Sequence, residues 1–177
     1  QVTANTSYTL ATLPAPTGTL ETTRYYRNAA GQVTSQVKYL SGGQTETTTY
    51  SYDTRGRLLT QTVAETVSTE TRTQRFRYDV KGRLIGSLDG VGAATLVASP
   101  TDAQIATAIN TYGTRYNYDA ADRLISRIDP DGTGATGNTT RFYYDGDGQL
   151  RFEINALGEV TEHRYNILED RTDTFVY

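Results

Sequence analysis

The residues best equipped for chemistry in this 177-residue chain are its acids, and four of them recur in one setting: Asp53, Asp79, Asp119 and Asp145 each follow a tyrosine. Two carboxylates brought together in space could do the acid and base work of a glycosidase. Asp145-Gly-Asp-Gly148 also resembles the opening of a calcium loop, which needs further oxygen ligands and a glutamate at its twelfth position. Here the twelfth residue is Ala156, so the segment reads as a turn. His163 is the sole histidine; it cannot join a histidine metal cluster and reads as a surface or packing residue on a strand. No Gly-x-Ser-x-Gly elbow, phosphate-binding glycine loop or His-Glu-x-x-His segment is present. No catalytic residue, metal or cofactor is expected.

The setting of the four acids is a repeat. Tyr50-Ser-Tyr-Asp-Thr-Arg-Gly-Arg-Leu-Leu59 recurs as Phe76-Arg-Tyr-Asp-Val-Lys-Gly-Arg-Leu-Ile85, as Tyr116-Asn-Tyr-Asp-Ala-Ala-Asp-Arg-Leu-Ile125 and as Phe142-Tyr-Tyr-Asp-Gly-Asp-Gly-Gln-Leu-Arg151. A degraded copy starts at Tyr25, and shortened ones start at Asn155 and Tyr165. Asp at the head of a four-residue turn bonds nearby backbone amides, and the fourth residue takes positive φ. Asp53/Gly56, Asp79/Gly82, Asp119/Asp122, Asp145/Gly148 and the later Gly158 are therefore read as hairpin turns closing into a glycine bulge. The flanks alternate as strands do, with Phe76 and Tyr78 on one face and Arg75 and Arg77 on the other. Tyr50, Tyr52, Phe76, Tyr78, Tyr116, Tyr118, Phe142, Tyr144 and Tyr165 form aromatic rows. Packed ring on ring across strands they make a ladder; left exposed they offer a face for a sugar or a protein partner. An acid that does the same local job in every copy is poor evidence for a unique site.

Spacing places the remaining elements. Gly31, Gly56 and Gly82 lie 25 and 26 residues apart, room for two strands and a second turn. The step to Asp122 is 40, and it holds an insertion after Leu88-Asp-Gly90. Within it, near 99–110, Ser99 can cap a helix, Pro100 fits its first position and Asp102 favours its first turn, predicting about three helical turns. Steps of 10 and 11 to Gly158 and Glu169 predict a tight C-terminal meander, with a strand over 172–177. Residues 1–23 form an N-terminal segment in which Thr6 to Leu13 could pair as a strand, and 24–177 carry the repeats. Asp129-Pro-Asp-Gly132 reads as a turn. The fold class is mostly β: antiparallel hairpin repeats in a curved or spiralling sheet with one short inserted α-helix.

Composition agrees with thin walls. Hydrophobic residues make up only 36%, and 14 of the 18 aromatics are Tyr, whose ring packs while its hydroxyl reaches water or a partner. A net charge of −3 with mixed signs points away from nucleic acid, and no apolar run suits membrane insertion. Cysteine is absent, which excludes disulfides; methionine is absent too, so Gln1 is expected to be an internal residue of a longer product or the first residue after processing.

The frame Tyr-Asp-x-x-Gly-Arg-Leu, interleaved with Asp129-Pro-Asp-Gly132 and Ala156-Leu-Gly-Glu-Val-Thr161, resembles the YD-repeat, or Rhs-repeat, family over roughly residues 24–171. The resemblance implies a β-strip wound into a hollow shell. In bacterial polymorphic toxins and insecticidal toxin complexes such shells enclose a toxic domain; in the animal teneurins a related shell belongs to an adhesion receptor. Lack of cysteine leans toward a bacterium, and the resemblance implies secretion or cell-surface display. Toxin-bearing members end the shell with a cleavage segment of Asp-Pro-x-Gly-Leu type, whereas Gly132 is not followed by Leu. The implied partners are flanking repeats and a cargo domain of the same longer chain. The alternatives are a surface module binding glycans or a protein and, more remotely, a polysaccharide-active enzyme on a β-scaffold.

Overall fold

The computed structural model describes residues 22–68, 70–131, 137–166, 168 and 170–177. The expected strand at Thr6–Leu13 lies outside these residues, as do Gly132 and Glu169. Among the described residues the fold is mostly antiparallel β, with twelve strands whose sheet order follows chain order, and two α-helices. The chain divides into two compact units, residues 1–75 and 76–177.

The described part of the first unit is a meander of β1 (Thr22–Arg27), β2 (Val33–Tyr39), β3 (Thr45–Tyr52), β4 (Leu58–Glu65) and the start of β5 (Thr71–Tyr78). Thr and Tyr dominate these strands because both fit a pleated, half-buried surface. The frame turns lie between β1 and β2 and between β3 and β4; a tighter turn at Ser41–Gly43 supplies the second turn that the 25-residue step required. Register shifts at Tyr26/Arg27 and Ser51/Tyr52 are the bulges anticipated beside the frame turns.

The second unit continues from the end of β5 through β6 (Leu84–Leu88), β7 (Thr114–Tyr118), β8 (Leu124–Asp129), β9 (Asn138–Tyr144), β10 (Leu150–Ile154), β11 (Val160–Tyr165) and β12 (Arg171–Val176). Bulges recur at Asn117/Tyr118, Leu150/Phe152 and Arg164/Tyr165. In this meander the Asn155–Gly158 turn joins β10 to β11, so it lies at the opposite end of the sheet from the Asp145 turn. The turn at Asn166 returns to the Asp145 end. The steps of 10 and 11 are thus alternating ends of one meander.

The insertion between β6 and β7 holds two helices where one was expected. The four-residue α1 (Gly90–Ala93) starts at Asp89, whose side chain accepts from the Gly92 amide. The eleven-residue α2 (Asp102–Tyr112) starts later than Ser99 and Pro100 suggested. Thr101 is its cap: the Thr101 hydroxyl accepts from the Gln104 amide and the Gln104 side chain accepts from the Thr101 amide, a reciprocal capping box, while Asp102, the acid three residues after Ser99, is taken up by Arg77. Leu88, Ala93, Ala108 and Ile109 are buried together, with Leu96 and Ile105 against them. Close approach of helix and sheet depends on Gly86, where a Cβ would stand 2.7 Å from Ile109 Cγ2. The N-terminal turn of α2 is tied to β5 by a two-point ion pair, Arg77 Nε and Nη2 to Asp102 at 3.0 and 2.7 Å.

Candidate functional site

The repeated acids are all at turns, and each does the same local work. The Asp53 carbonyl accepts from the Gly56 amide at 3.0 Å, while Asp53 Oδ1 accepts from the amides of Arg55 and Arg57, both at 2.9 Å. Asp119 repeats this with Asp122, Ala121 and Arg123, and Asp145 with Gly148, Asp147 and Gln149. Asp79 bonds Gly82 through its carbonyl and the Arg83 amide through Oδ1. Asn28, Asn155 and Asn166 make the same pair of amide bonds through Oδ1 in their own turns. The Asp145 segment is accordingly a turn whose oxygen faces its own backbone, and among the described residues no group of three acids, histidines or cysteines could hold a metal. Positive φ falls on Gly56, Gly82, Asp122, Gly148 and Gly158.

What sequence spacing did not reveal is how one repeat grips the next. The hydroxyls of four frame tyrosines reach back to the main chain of an earlier repeat: Tyr52 donates to the Val33 carbonyl at 2.7 Å, Tyr118 to Leu84 at 2.9 Å, Tyr144 to Leu124 at 2.8 Å and Tyr165 to Leu150 at 2.9 Å. In every case the acceptor is the opening residue of the strand after a previous frame turn. The arginine of the frame completes the link. Arg57, Arg83 and Arg123 pair Nε with their own Asp53, Asp79 and Asp119 at 2.6, 2.7 and 2.7 Å. Arg83 then lies over the ring of Tyr118 at 4.8 Å, and Arg123 over Tyr144 at 4.9 Å. Each of these two rings thus lies against a guanidinium of the previous repeat. In the degraded copy Gln32 takes the arginine's place and donates to the Gly56 carbonyl at 3.1 Å.

Electrostatics follow from these bonds. The Arg57 amide holds the Asp53 carboxyl below its ordinary range, and the Arg123 amide and guanidinium do the same for Asp119. For Asp79 desolvation pushes upward, but the amide and guanidinium of Arg83 outweigh it and the net shift is down. Burial raises the Tyr118 and Tyr144 phenols. The other frame aromatics, Tyr50, Phe76, Tyr78, Tyr116 and Phe142, are half-buried.

His163 is buried on β11, with Nδ1 3.3 Å from Thr174 Oγ1 and 3.4 Å from Arg171 Nη1. Beside it Glu162, also buried, is held by Arg164 at 2.9 Å and by the Tyr177 hydroxyl at 3.1 Å; no spacing signal marked this group. Asp129, of the Asp-Pro segment, accepts from Thr114 Oγ1 and Arg127 Nε. A cavity of about 390 Å³ between α2 and the sheet is lined by Arg77, Arg115, Asn110 and Asn117 and by isoleucines, with no carboxylate among its lining residues.

Residues 103–133, spanning most of α2 through the Asp119 turn and β8, match the RHS Repeat family. No curated protein sequence matches the chain. Among solved structures, the crystal structure of TcdB2-TccC3 aligns with 88% of this chain at a TM-score of 0.56 and 14% identity. A Photorhabdus luminescens Tc holotoxin pore aligns with 87% at a TM-score of 0.34 and 14% identity. The chain spans 8% and 10% of the length of those two chains. The repeated frame and its turn geometry extend on both sides of the matched segment, so the chain contains an RHS Repeat at residues 103–133 and is similar in fold to the TcdB2-TccC3 structure.

Proposed function

We propose that the chain is a non-enzymatic wall segment of a YD/Rhs-repeat shell, which encloses or presents a cargo domain of the same longer protein, secreted or displayed by a bacterium. The observation that carries this reading is the relay of Asp, Arg and Tyr. Arg83 and Arg123 each bind the acid of their own turn and lie against the tyrosine of the next repeat, whose hydroxyl bonds back to the earlier one, which is what a wall extended by addition of like units requires. The likeness to TcdB2-TccC3 supports the same reading at the level of fold. Against a glycan face, the hydroxyls of Tyr52, Tyr118, Tyr144 and Tyr165 are already committed to backbone carbonyls. Against a glycosidase, Asp53, Asp79, Asp119 and Asp145 each occupy a separate turn.

The test is limited proteolysis of the full-length protein. Segments that follow the repeats should resist protease in the intact protein and become cleavable once the wall is opened by a charged substitution at buried Leu88. Equal digestion of those segments in both proteins would overturn the enclosing role.

A further inference from the structure

The frame asks for glycine where the turn takes positive φ, and Asp122 is the non-glycine residue that takes it among the described residues, at φ 64°. Aspartate tolerates this conformation better than most residues, but still less easily than glycine. What it adds is a carboxylate. Asp122 Oδ1 accepts from Lys81 Nζ at 2.8 Å and from Arg83 Nη1 at 2.5 Å, both in the preceding frame turn. Arg83 Nη1 also reaches the Asp119 carbonyl at 3.3 Å.

These two turns flank the helical insertion. The strands beside them, β6 and β7, pair at Gly86↔Arg115 and Ser87↔Thr114, two residue pairs against the four of β8 and β9. The next junction along the same unit makes the contrast. There β8 and β9 pair from Ser126↔Arg141 to Asp129↔Asn138. Arg123 Nη1 stands 3.8 Å from where a Cβ on Gly148 would lie, and glycine offers it no carboxylate. The junction with a full ladder has glycine, and the junction with a short one has the ionic grip.

We infer that Asp122 is a clamp that holds shut the β6–β7 seam opened up by the helical insertion, and that ionic strength sets how tightly the seam closes. All three side chains are partly exposed, so salt screens the grip.

Amide hydrogen exchange in the intact chain tests this, comparing Ser87 and Thr114 at the seam with Asn117 and Ser126 in the adjoining hairpin. Raising salt should speed exchange at the seam by roughly two- to five-fold relative to the hairpin. Asp122→Asn, which keeps the tolerance for positive φ but not the charge, should exchange at the faster rate already at low salt and lose the salt response. Asp122→Gly should do the same while leaving the hairpin as protected as before. Wild-type seam rates at low salt in both variants, or a salt response that survives in them, would overturn the clamp and leave the seam to the packing beneath α2.

Discussion

The turn row and the patch beneath α2 are held by different physics. Along the turns, the linking groups are polar and half-exposed: carboxylate to guanidinium, guanidinium to ring, hydroxyl to carbonyl. Beneath α2, contact is apolar and close, with Leu88 only 1% exposed and Ile109 3%. Where like repeats follow one another, the strip does not need a thick core. Among the described residues the buried apolar cluster lies where the insertion interrupts the succession and a helix covers the sheet.

The largest effect is therefore expected at Leu88. Leu88→Ala should cost about 2–5 kcal/mol, because the cavity forms where neighbours are locked between helix and strand. A shift in the urea midpoint at constant slope measures it. Gly86→Ala tests the same patch from the other side: the new methyl would stand 2.7 Å from Ile109 Cγ2, and overpacking should cost about 1–3 kcal/mol. If either change proved neutral, the contrast between the two regions would collapse.

At the turn row the expected effects are smaller and separable. Tyr118→Phe keeps the ring under Arg83 but removes the bond to the Leu84 carbonyl, for a loss of about 0.5–1.5 kcal/mol. Tyr116→Phe, two residues earlier on the same strand, should cost close to nothing, since no hydrogen bond from its hydroxyl is present among the described residues. Equal losses in the two variants would mean that the hydroxyl link is not what seats one repeat on another.

The turns were legible in the sequence because their chemistry is local: Asp and Gly act over four residues, and the pattern shows at once which oxygen bonds which amide. The helix was legible in outline, but its start was misplaced. Ser99 and Pro100 looked like a start, while the pair that acts is Thr101 with Gln104, a capping signal equally present in the chain. The helix α1 escaped because two of its four residues are glycine, which intrinsic propensity counts against it. The grip between repeats was illegible for a different reason. Tyr118 and Leu84 are 34 residues apart, and nothing in either copy says that a hydroxyl in one will meet a carbonyl in the other. The clamp was written in the sequence only as a departure, an Asp where the frame has Gly.

The smallest effect separates the two jobs of the frame acid. The carboxyls of Asp53 and Asp119 are held below their ordinary value of 3.8, so the folded state binds the proton less readily than the unfolded chain. Their contribution is fully present above pH 3.8 and is lost as the pH falls through the lower folded values. Beneath α2 the apolar contacts of Leu88, Ala108 and Ile109 do not titrate; the helix takes its pH dependence instead from Asp102 at its first turn, which the bonds to Arg77 hold below the ordinary carboxylate value. Asp119→Asn should keep the turn, since Asn28, Asn155 and Asn166 make the same two amide bonds in theirs. What it removes is the charge opposite Arg123. Stability near pH 7 should fall slightly, and the wild-type and variant curves should converge as the pH drops below 3.8. Parallel curves across that range would show that the acid serves the turn alone and that its pairing with arginine adds nothing to the wall.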